Sequence, residues 1–309
     1  MKILFMGTPD FAVFSLKALV EAGEEVIGVV TQPDKPKGRG YTLTPPPVKV
    51  YATERGLPVW QPTTLRDESF AELLAELAPD LIAVVAYGKI LPENVIKFPK
   101  YGCVNVHGSL LPEYRGAAPM QRAIIDGKST TGITTMYMDV GLDTGDMILK
   151  GEIAIEDSDN FETVYDKLGA LGAELLVKTV ALIGEGKAPR EAQDGTKATY
   201  AAKIEKSDCL IDFSRSAREI HCLIRGLSPI PLSFTHTADG KLLKVIAAER
   251  IDENYDAPAG AVVSLEDGIT VACGEGAVKL TTVLPEGKGR MPAADFVRGR
   301  KVSLGDILK

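Results

Sequence analysis

The feature that most constrains the fold of this chain is a series of short apolar runs in its first half. The run at 81–86 is uninterrupted, and those at 2–6 and 25–31 have the same character. Between them lie stretches with helical spacing, such as 10–22, where Asp10 is a predicted N-cap and the apolar side chains fall on one face. Apolar strands that alternate with helices are typical of a parallel sheet covered on both faces. The first half is therefore predicted to be an α/β domain.

Further elements of the same kind continue along the first half. The patterns predict helices at 48–55, 68–76, 118–125 and 161–183, and strands at 102–107, 131–138 and 146–155. A polar loop rich in proline and glycine occupies 32–47, between the second strand and the next helix. Loops of this length are usually functional or disordered, so this one is a candidate contact for a ligand.

The second half has a different character. A polar, irregular stretch begins at 184, and the short strand-like runs that follow it stand at 241–248, 260–264, 268–273 and 277–283. Helices are predicted at 216–226 and 293–300. Several short strands with turn signals between them indicate a small barrel or a sandwich. The chain is thus predicted to consist of an α/β domain at 1–189, a linker at 190–206 and a small β-rich domain at 207–309.

Composition excludes several classes of protein. The longest apolar stretch has the length of a buried strand and is too short to cross a bilayer, so no membrane partner is expected. The four cysteines, Cys103, Cys209, Cys222 and Cys273, form no CxxC pair and stand near no histidine cluster. This pattern argues against a disulfide framework and against a metal site, and it favours a cytoplasmic location.

The charge pattern is acidic overall but contains two basic clusters. The formal net charge is −7, which does not by itself indicate a nucleic-acid partner. The cationic residues of the two clusters are Lys35, Lys37, Arg39 and Lys49 in the first half, and Lys288, Arg290, Arg298, Arg300 and Lys301 in the second. Either cluster alone is most simply solvated loop charge. Because they stand in different halves of the chain, a long anionic ligand could contact both.

Polar side chains at the end of the strand that ends at His107 indicate a reactive site. Asn105 and His107 alternate along this strand and so point to the same face, at the edge where such sheets bind ligands. A glycine-rich loop at 138–146 adds Asp143. An asparagine can stabilise an oxyanion, a histidine with a pKa of about 6.5 can relay a proton, and an aspartate can orient the histidine. The set predicts acyl transfer without a covalent intermediate; the alternatives are a core histidine and a turn whose acids only solvate it.

The residues around this site resemble a known family. The run that begins at Asn105 reads NVHGSLLP, Tyr114-Arg115-Gly116 follows it, and the later loop contains GLDTG at 141–145. These motifs are similar to those of the formyltransferases that use 10-formyltetrahydrofolate. The resemblance implies a Rossmann-like catalytic domain, 10-formyltetrahydrofolate as cosubstrate without a metal, and catalytic roles for Asn105, His107 and Asp143. The folate contacts that it implies are Ser109, Leu110, Leu111, Pro112, Lys89, Ile90 and Leu91.

Within that family the chain most resembles the branch that acts on methionyl-tRNA. The motifs that carry this likeness are GTPDFA at 7–12, TQPDKP at 31–36, GRG at 38–40 and YGKILP at 87–92. The likeness implies methionyl initiator tRNA as the substrate, translation initiation as the process and no obligate protein partner. It implies that Arg39 contacts the acceptor end of the tRNA and that 207–309 forms a tRNA-binding barrel of the oligonucleotide-binding (OB) type. One departure is Ile230, between Pro229 and Pro231, where many relatives carry a tryptophan.

Four other functions share part of this pattern. A nicotinamide dehydrogenase is disfavoured because the GTPD turn at 7–10 lacks the second and third glycines of a dinucleotide site. A formyltransferase for a nucleotide-linked amino sugar shares the catalytic set, but the basic loop around Arg39 argues against it. A glycinamide ribonucleotide transformylase is disfavoured by the additional C-terminal domain. A tRNA-binding protein without activity is disfavoured by the intact set of Asn105, His107 and Asp143.

Overall fold

The computed structural model describes residues 1–37 and 42–309, which form two compact units. The first unit comprises Met1–Gly116, Thr131–Ile153 and Tyr165–Tyr200, and the second comprises Ala117–Thr130, Ala154–Val164 and Ala201–Lys309. Two segments from the middle of the chain thus belong with its C-terminal part. The boundary between the units falls after Tyr200, within the stretch at 190–206 that was predicted to be a linker. The role of this stretch as a linker stays a prediction.

Strands and helices alternate along the first two thirds of the chain. In chain order they are β1 (Ile3–Gly7), α1 (Asp10–Glu21), β2 (Val26–Val30), β3 (Lys35–Lys37), β4 (Thr42–Thr44), α2 (Pro47–Glu54), β5 (Val59–Trp60), α3 (Glu68–Leu77), β6 (Leu81–Val85), α4 (Glu93–Ile96), β7 (Cys103–His107), β8 (Arg115–Gly116), α5 (Pro119–Ile125), β9 (Thr130–Tyr137), β10 (Met147–Ala154), α6 (Phe161–Gly184) and β11 (Tyr200–Ala201).

Seven of these strands build a central sheet in the order β10-β9-β7-β6-β1-β2-β5. The neighbours from β5 to β7 run parallel, and β9 is antiparallel to β7. Every residue of β1 and β6 is buried, as expected for the inner strands of a sheet covered on both faces. The predicted α/β domain with a mostly parallel sheet is confirmed.

The carboxyl ends of β1, β6 and β7 lie at one edge of this sheet. Thr8, after β1, donates from Oγ1 to the carbonyl oxygen of Tyr87, after β6, at 2.9 Å. Gly7 allows α1 to approach this edge, because a Cβ there would lie 2.7 Å from the Cβ of Ala12 and 3.0 Å from the carbonyl oxygen of Val85. Close packing therefore accounts for Gly7 without a bound phosphate.

The prediction that Asp10 caps α1 is wrong. Asp10 is the first residue of the helix, and Pro9, at the N-cap position, makes no side-chain hydrogen bond to it. The N–H of Phe11 instead donates to the hydroxyl of Tyr165 in α6 at 2.7 Å, and the two rings meet edge to face with centroids 5.2 Å apart. Burial raises the pKa of Tyr165 to about 12, so the capping hydroxyl stays neutral at physiological pH.

The loop predicted at 32–47 contains regular structure, because β3 and β4 pair as an antiparallel hairpin. At its base, Lys49 Nζ donates to both carboxylate oxygens of Asp34, at 2.9 and 2.8 Å, and to Gln61 Oε1 at 2.8 Å. The hydrogen bonds from Lys49 and then from Gln61 lower the pKa of Asp34. Lys49 thus neutralises a carboxylate instead of adding to a basic cluster. Arg39, the predicted tRNA contact, lies outside the described residues.

The last third of the chain is built on antiparallel strands. Its elements are α7 (Ala217–Leu227), β12 (Ser233–His236), β13 (Leu242–Ile251), β14 (Val262–Ser264), β15 (Ile269–Ala272), β16 (Ala277–Pro285), β17 (Met291–Pro292) and α8 (Ala293–Arg298). The sheet has the order β12-β13-β16-β15-β14, with β17 beside β16. Register shifts between β13 and β16 accompany the curling of this sheet into a half-barrel. The predicted OB-like class of the C-terminal domain is confirmed.

Helix α7 packs on this curled sheet and begins at a capping box. The side chain of Ser216 accepts from the N–H of Glu219, and the Glu219 carboxylate accepts from the N–H of Ser216. Ile220 and Ile224 of the helix are buried in one core with residues of β13, β15 and β16 such as Val245. The predicted helix at 216–226 therefore begins where its sequence pattern places it.

The cysteines and acids of the described chain form no recognisable metal centre. Cys103, Cys209 and Cys222 are free and buried, and burial raises the pKa of Cys103 to about 12. Across 1–37 and 42–309, no group of three or more His, Cys, Asp or Glu side chains is arranged to hold a metal ion. Within the same residues, no helix has the length and apolarity needed to cross a membrane.

Candidate active site

The candidate site is centred on His107, the last residue of β7. Its side chain is 5% exposed, and Nε2 lies 2.9 Å from the carbonyl oxygen of Tyr114. Since a carbonyl oxygen only accepts, Nε2 carries the hydrogen of the neutral ring. Nδ1 is therefore the nitrogen that takes up or releases a proton, and it lies 3.7 Å from Oδ2 of Asp143.

Asn105 lies two residues before His107 on β7. The strand places both side chains on one face of the sheet, as their spacing predicts. Asn105 is half-buried, whereas Val104 and Val106 on the opposite face are buried. The strand thus brings an amide and an imidazole together at the edge where the parallel strands end.

Asp143 reaches this edge from the loop between β9 and β10. Its backbone is left-handed, with φ +52°, and its Oδ2 accepts a hydrogen bond from Gly116 N at 2.8 Å. The other acids of the loop have different partners. Asp139 accepts hydrogen bonds within the loop, and Asp146 forms an ion pair with Arg190 at 3.4 Å. Asp143 is therefore the acid of this loop that lies against the imidazole.

The predicted folate contacts after β7 are Ser109, Leu110, Leu111 and Pro112. They form a turn in which the Ser109 hydroxyl donates to the carbonyl oxygen of Glu113 at 2.6 Å. The side chains of Ser109 and Leu111 are buried, and the other two are half-buried. The turn presents the carbonyl of Tyr114 to His107, which gives the motif a structural role; its contacts with folate stay a prediction.

The other predicted folate contacts follow β6. The ammonium group of Lys89 donates to the carbonyl oxygens of Pro62 and Thr63, at 3.2 and 2.6 Å, so this side chain is bound within the protein. Ile90 is 80% exposed, whereas Leu91 is buried. The Ile90 side chain is therefore accessible to a ligand, whereas a ligand contact with Leu91 would involve its backbone.

Exposed apolar side chains lie in the segment after β6, which the resemblance assigns to the folate site, and in the loop of Asp143. Besides Ile90, Val140 is 69% exposed and Leu142 is 57% exposed, and both lie in the loop of Asp143. A flat heteroaromatic ring binds between apolar side chains while backbone groups satisfy its polar edge. The segments after β6 and β9 each supply exposed apolar side chains of the kind that such a ring packs against.

Sequence reasoning missed the residues that hold this site in place. Gln193, 50 residues beyond Asp143, donates to its carbonyl oxygen at 2.8 Å and accepts from Arg115 Nη2 at 2.8 Å. Arg115 stands in the Tyr-Arg-Gly motif that follows the turn, which is a signal that could have directed attention to it. Nothing in the sequence marks Gln193, which stands in the polar stretch predicted as a linker.

Comparison with protein-family models gives two matches. Residues 1–180 match the model described as formyl transferase, and residues 203–301 match the model described as formyl transferase, C-terminal domain. The methionyl-tRNA formyltransferase of Bacillus subtilis (strain 168) is 50% identical over an alignment of 309 positions, which covers 99% of this chain and 97% of that protein. The methionyl-tRNA formyltransferase of Geotalea daltonii is 48% identical over 305 residues, which are 99% of this chain and 97% of that protein.

Solved structures share the fold at much lower sequence identity. An N-formyltransferase from Helicobacter canadensis, in complex with folinic acid and dTDP-3-aminofucose, has a TM-score of 0.67 at 20% identity; the match covers 91% of this chain and 99% of that one. HypX from Aquifex aeolicus, in complex with tetrahydrofolic acid, has a TM-score of 0.64 at 17% identity; the match covers 96% of this chain and 47% of that one.

Proposed function

The chain belongs to the formyl transferase family, and on that premise we propose that it moves the formyl group of 10-formyltetrahydrofolate to the α-amino group of methionyl initiator tRNA. The product, N-formylmethionyl-tRNA, serves translation initiation. The observation that carries the proposal is the pair of His107 Nδ1 and Asp143 Oδ2, 3.7 Å apart, in a chain that is 50% identical to a methionyl-tRNA formyltransferase over 309 residues.

His107 is the proposed proton carrier. An amine has to be neutral to attack a carbonyl carbon, and it must lose a proton as the new C–N bond forms; free α-amines have a pKa of about 7.7–8.0. Because Nε2 already donates a hydrogen bond to the Tyr114 carbonyl, the proton from the attacking amine goes to Nδ1. The carboxylate of Asp143, on that side of the ring, stabilises the imidazolium that results.

Asn105 is the proposed donor to the developing oxyanion. Its amide lies on the same strand face as His107, so one N–H can reach the formyl oxygen while the imidazole serves the amine. The cosubstrate supplies an activated formyl group whose leaving atom is N10. When the amine nitrogen bonds to the formyl carbon, the π electrons of the C=O bond move to oxygen and form the oxyanion. The C=O bond then forms again, the bond from that carbon to N10 breaks, and His107 Nδ1 returns the proton to N10. No side chain is acylated in this scheme.

The C-terminal domain is the proposed holder of the tRNA body. Its family match at 203–301 and its OB-like sheet support this assignment, and the basic residues at 288–301 supply cations for phosphate contacts. Arg39 is the proposed contact to the acceptor end. Since charged tRNA and the folate cosubstrate are used in the cytoplasm, we infer a cytoplasmic location for the enzyme.

A competition between amines tests the proposal. The protein is mixed with 10-formyltetrahydrofolate and either methionyl initiator tRNA or a nucleotide-linked amino sugar, and the formylated product is identified by mass spectrometry. Uncharged initiator tRNA is the control, because it lacks the α-amine. We expect formyl transfer to methionyl-tRNA. Transfer to the amino sugar alone, or to neither amine, would falsify the proposed function.

A further inference from the structure

Gln193 forms a bridge between the loop that carries Asp143 and a buried arginine. Its Nε2 donates to the carbonyl oxygens of Asp143 and Gly145, both at 2.8 Å. Its Oε1 accepts from Arg115, at 3.1 Å from Nε and 2.8 Å from Nη2. Both ends of the side-chain amide are therefore occupied, and all the partners lie in the first unit.

Arg115 links this bridge to the carboxylate of Asp143. Its side chain is 6% exposed, and a charge buried to this extent needs defined partners. The next residue, Gly116, donates its N–H to Asp143 Oδ2 at 2.8 Å. Asp143 is thus held at its carbonyl by Gln193 and at its carboxylate by the backbone beside Arg115. The held oxygen is the one that faces Nδ1 of His107 at 3.7 Å.

The backbone of Asp143 requires such contacts, because φ is +52°. A residue with a Cβ rarely adopts this left-handed conformation and keeps it only where the surroundings fix it. The two N–H groups of Gln193 hold the backbone at Asp143 and two residues after it, one on the Asp143 carbonyl and one on the carbonyl of Gly145. Removing them frees the backbone that sets the direction of the carboxylate.

The segment that carries Gln193 is itself fixed. Glu191 and Met147 exchange two backbone hydrogen bonds, at 2.8 and 3.0 Å. Farther along, Thr199 Oγ1 accepts from Tyr114 N at 2.8 Å, and the carbonyl of Tyr114 is the partner of His107 Nε2. One segment therefore holds the groups on both sides of the imidazole.

We propose that Gln193 is a positioning residue of the transfer reaction, which acts through Asp143 on His107. The inference rests on the proposed function, since it assigns Gln193 to the same proton transfer. The position of the carboxylate sets how strongly the imidazolium is stabilised. A loss of that position lowers turnover and leaves the binding of both substrates largely intact.

Two substitutions of Gln193 test this role. Gln193→Glu is nearly isosteric and keeps an acceptor for Arg115, but it replaces the amide donor with a carboxylate oxygen. Gln193→Met removes the donor without adding a charge and provides the test if the Glu variant does not fold, as judged by thermal unfolding. We expect either variant to lose roughly 10- to 100-fold in kcat, with KM for both substrates within about threefold of wild type.

The matched control is Asp194→Ala. Asp194 is the next residue of the same segment, and its carboxylate accepts from the N–H and the hydroxyl of Thr196, away from Asp143. A disturbance of the segment that is unrelated to Asp143 affects this variant as well. We expect its kcat and KM to stay near those of the wild type.

A double-mutant cycle decides whether Gln193 acts through the carboxylate. If it does, Gln193→Glu lowers kcat by less than about threefold once Asp143 has been replaced by Asn, because the charge to be positioned is gone. A full further loss in that background contradicts the inference, as does an unchanged kcat in the single variants or a loss confined to KM.

A measurement without substrate separates this inference from the proposed function. The nitrogen chemical shifts of the His107 ring, which report the surroundings of Nδ1, are followed by NMR at one fixed pH in the folded protein. We expect Gln193→Met and Asp143→Asn to change the Nδ1 shift and Asp194→Ala to leave it as in the wild type; an unchanged Nδ1 shift in Gln193→Met overturns the inference. Kinetics are measured with whichever amine the wild type formylates, so failure with methionyl-tRNA overturns the proposed function alone.

Discussion

His107 has one nitrogen available for proton exchange, because the other donates to the Tyr114 carbonyl at 2.9 Å. Replacing His107 with Ala removes the proton carrier, and Asn105→Ala removes the proposed oxyanion donor. We expect either change to lower turnover by roughly two orders of magnitude or more. The affinity for tetrahydrofolate, measured by calorimetry, should change little, since neither side chain is among the exposed apolar residues Ile90, Val140 and Leu142. A folded variant with near-wild-type turnover contradicts the assigned role.

Asp143→Asn preserves the size of the side chain but removes the negative charge opposite Nδ1 of His107. We expect a large loss of turnover, because the imidazolium that forms during transfer loses the carboxylate that lies 3.7 Å from Nδ1. Asp139→Asn is the matched control, since that acid bonds within the same loop. An identical rate in both variants would mean that Asp143 only shapes the turn.

The residues that act in the proposed chemistry could be predicted from the sequence better than those that hold them. Asn105 and His107 share a face because they are two positions apart on one strand, which is a local pattern. The acceptor for His107 Nε2 is the backbone carbonyl of Tyr114. Because every residue has such a carbonyl, the sequence gives no sign of which one His107 contacts. The amide of Gln193 meets the carbonyl of Asp143 across 50 positions, and only the fold brings the two together.

At the scale of elements, the N-terminus of α1 depends on a distant phenol. Tyr165→Phe removes the hydroxyl that accepts from Phe11 N at 2.7 Å but keeps the ring contact. We expect a loss of about 1 kcal/mol in the free energy of unfolding, as for the loss of other caps, measured by urea denaturation. Tyr87→Phe is the control, because the buried Tyr87 hydroxyl has no hydrogen-bond partner in the described structure; it should be neutral or stabilising. Equal losses in both variants contradict the capping role.

One strand that the sequence did not predict, β12, has buried polar residues. β12 contains Ser233 and Thr235, which are both completely buried. Their hydroxyl groups donate to the carbonyl oxygens of Val245 and Lys309, at 3.4 and 3.0 Å. Hydrogen bonds of this kind allow polar residues inside a core, but a hydrophobic pattern does not record them. The uninterrupted run of β6 needs no such partners and was predicted almost to the residue.

At the scale of the whole molecule, the order of the chain and its two units do not coincide. Helix α5 belongs to the second unit, where Gly226 of α7 packs closely against Ile125. Ile125 also packs against the apolar core of the C-terminal sheet. Truncation of the chain near Lys206 would expose this apolar surface to water. Point substitutions in the full chain are therefore the sounder test of where tRNA is held.

Substitutions in the two basic clusters should affect tRNA binding and formyl transfer separately. Lys288→Gln with Arg290→Gln removes two exposed cations of the second basic cluster. Since each phosphate contact releases counterions, we expect the variant to bind tRNA more weakly. In a plot of log affinity against log salt concentration, the slope should become shallower by about 1 for each phosphate contact that the substitutions remove. Arg39→Ala should instead lower turnover at saturating tRNA, because a contact at the acceptor end positions the amine. Lys17→Gln with Lys178→Gln changes the net charge by the same amount on helices α1 and α6, and it should leave affinity and salt slope nearly unchanged. If the two double variants bind tRNA alike, the second cluster is not part of the tRNA-binding surface.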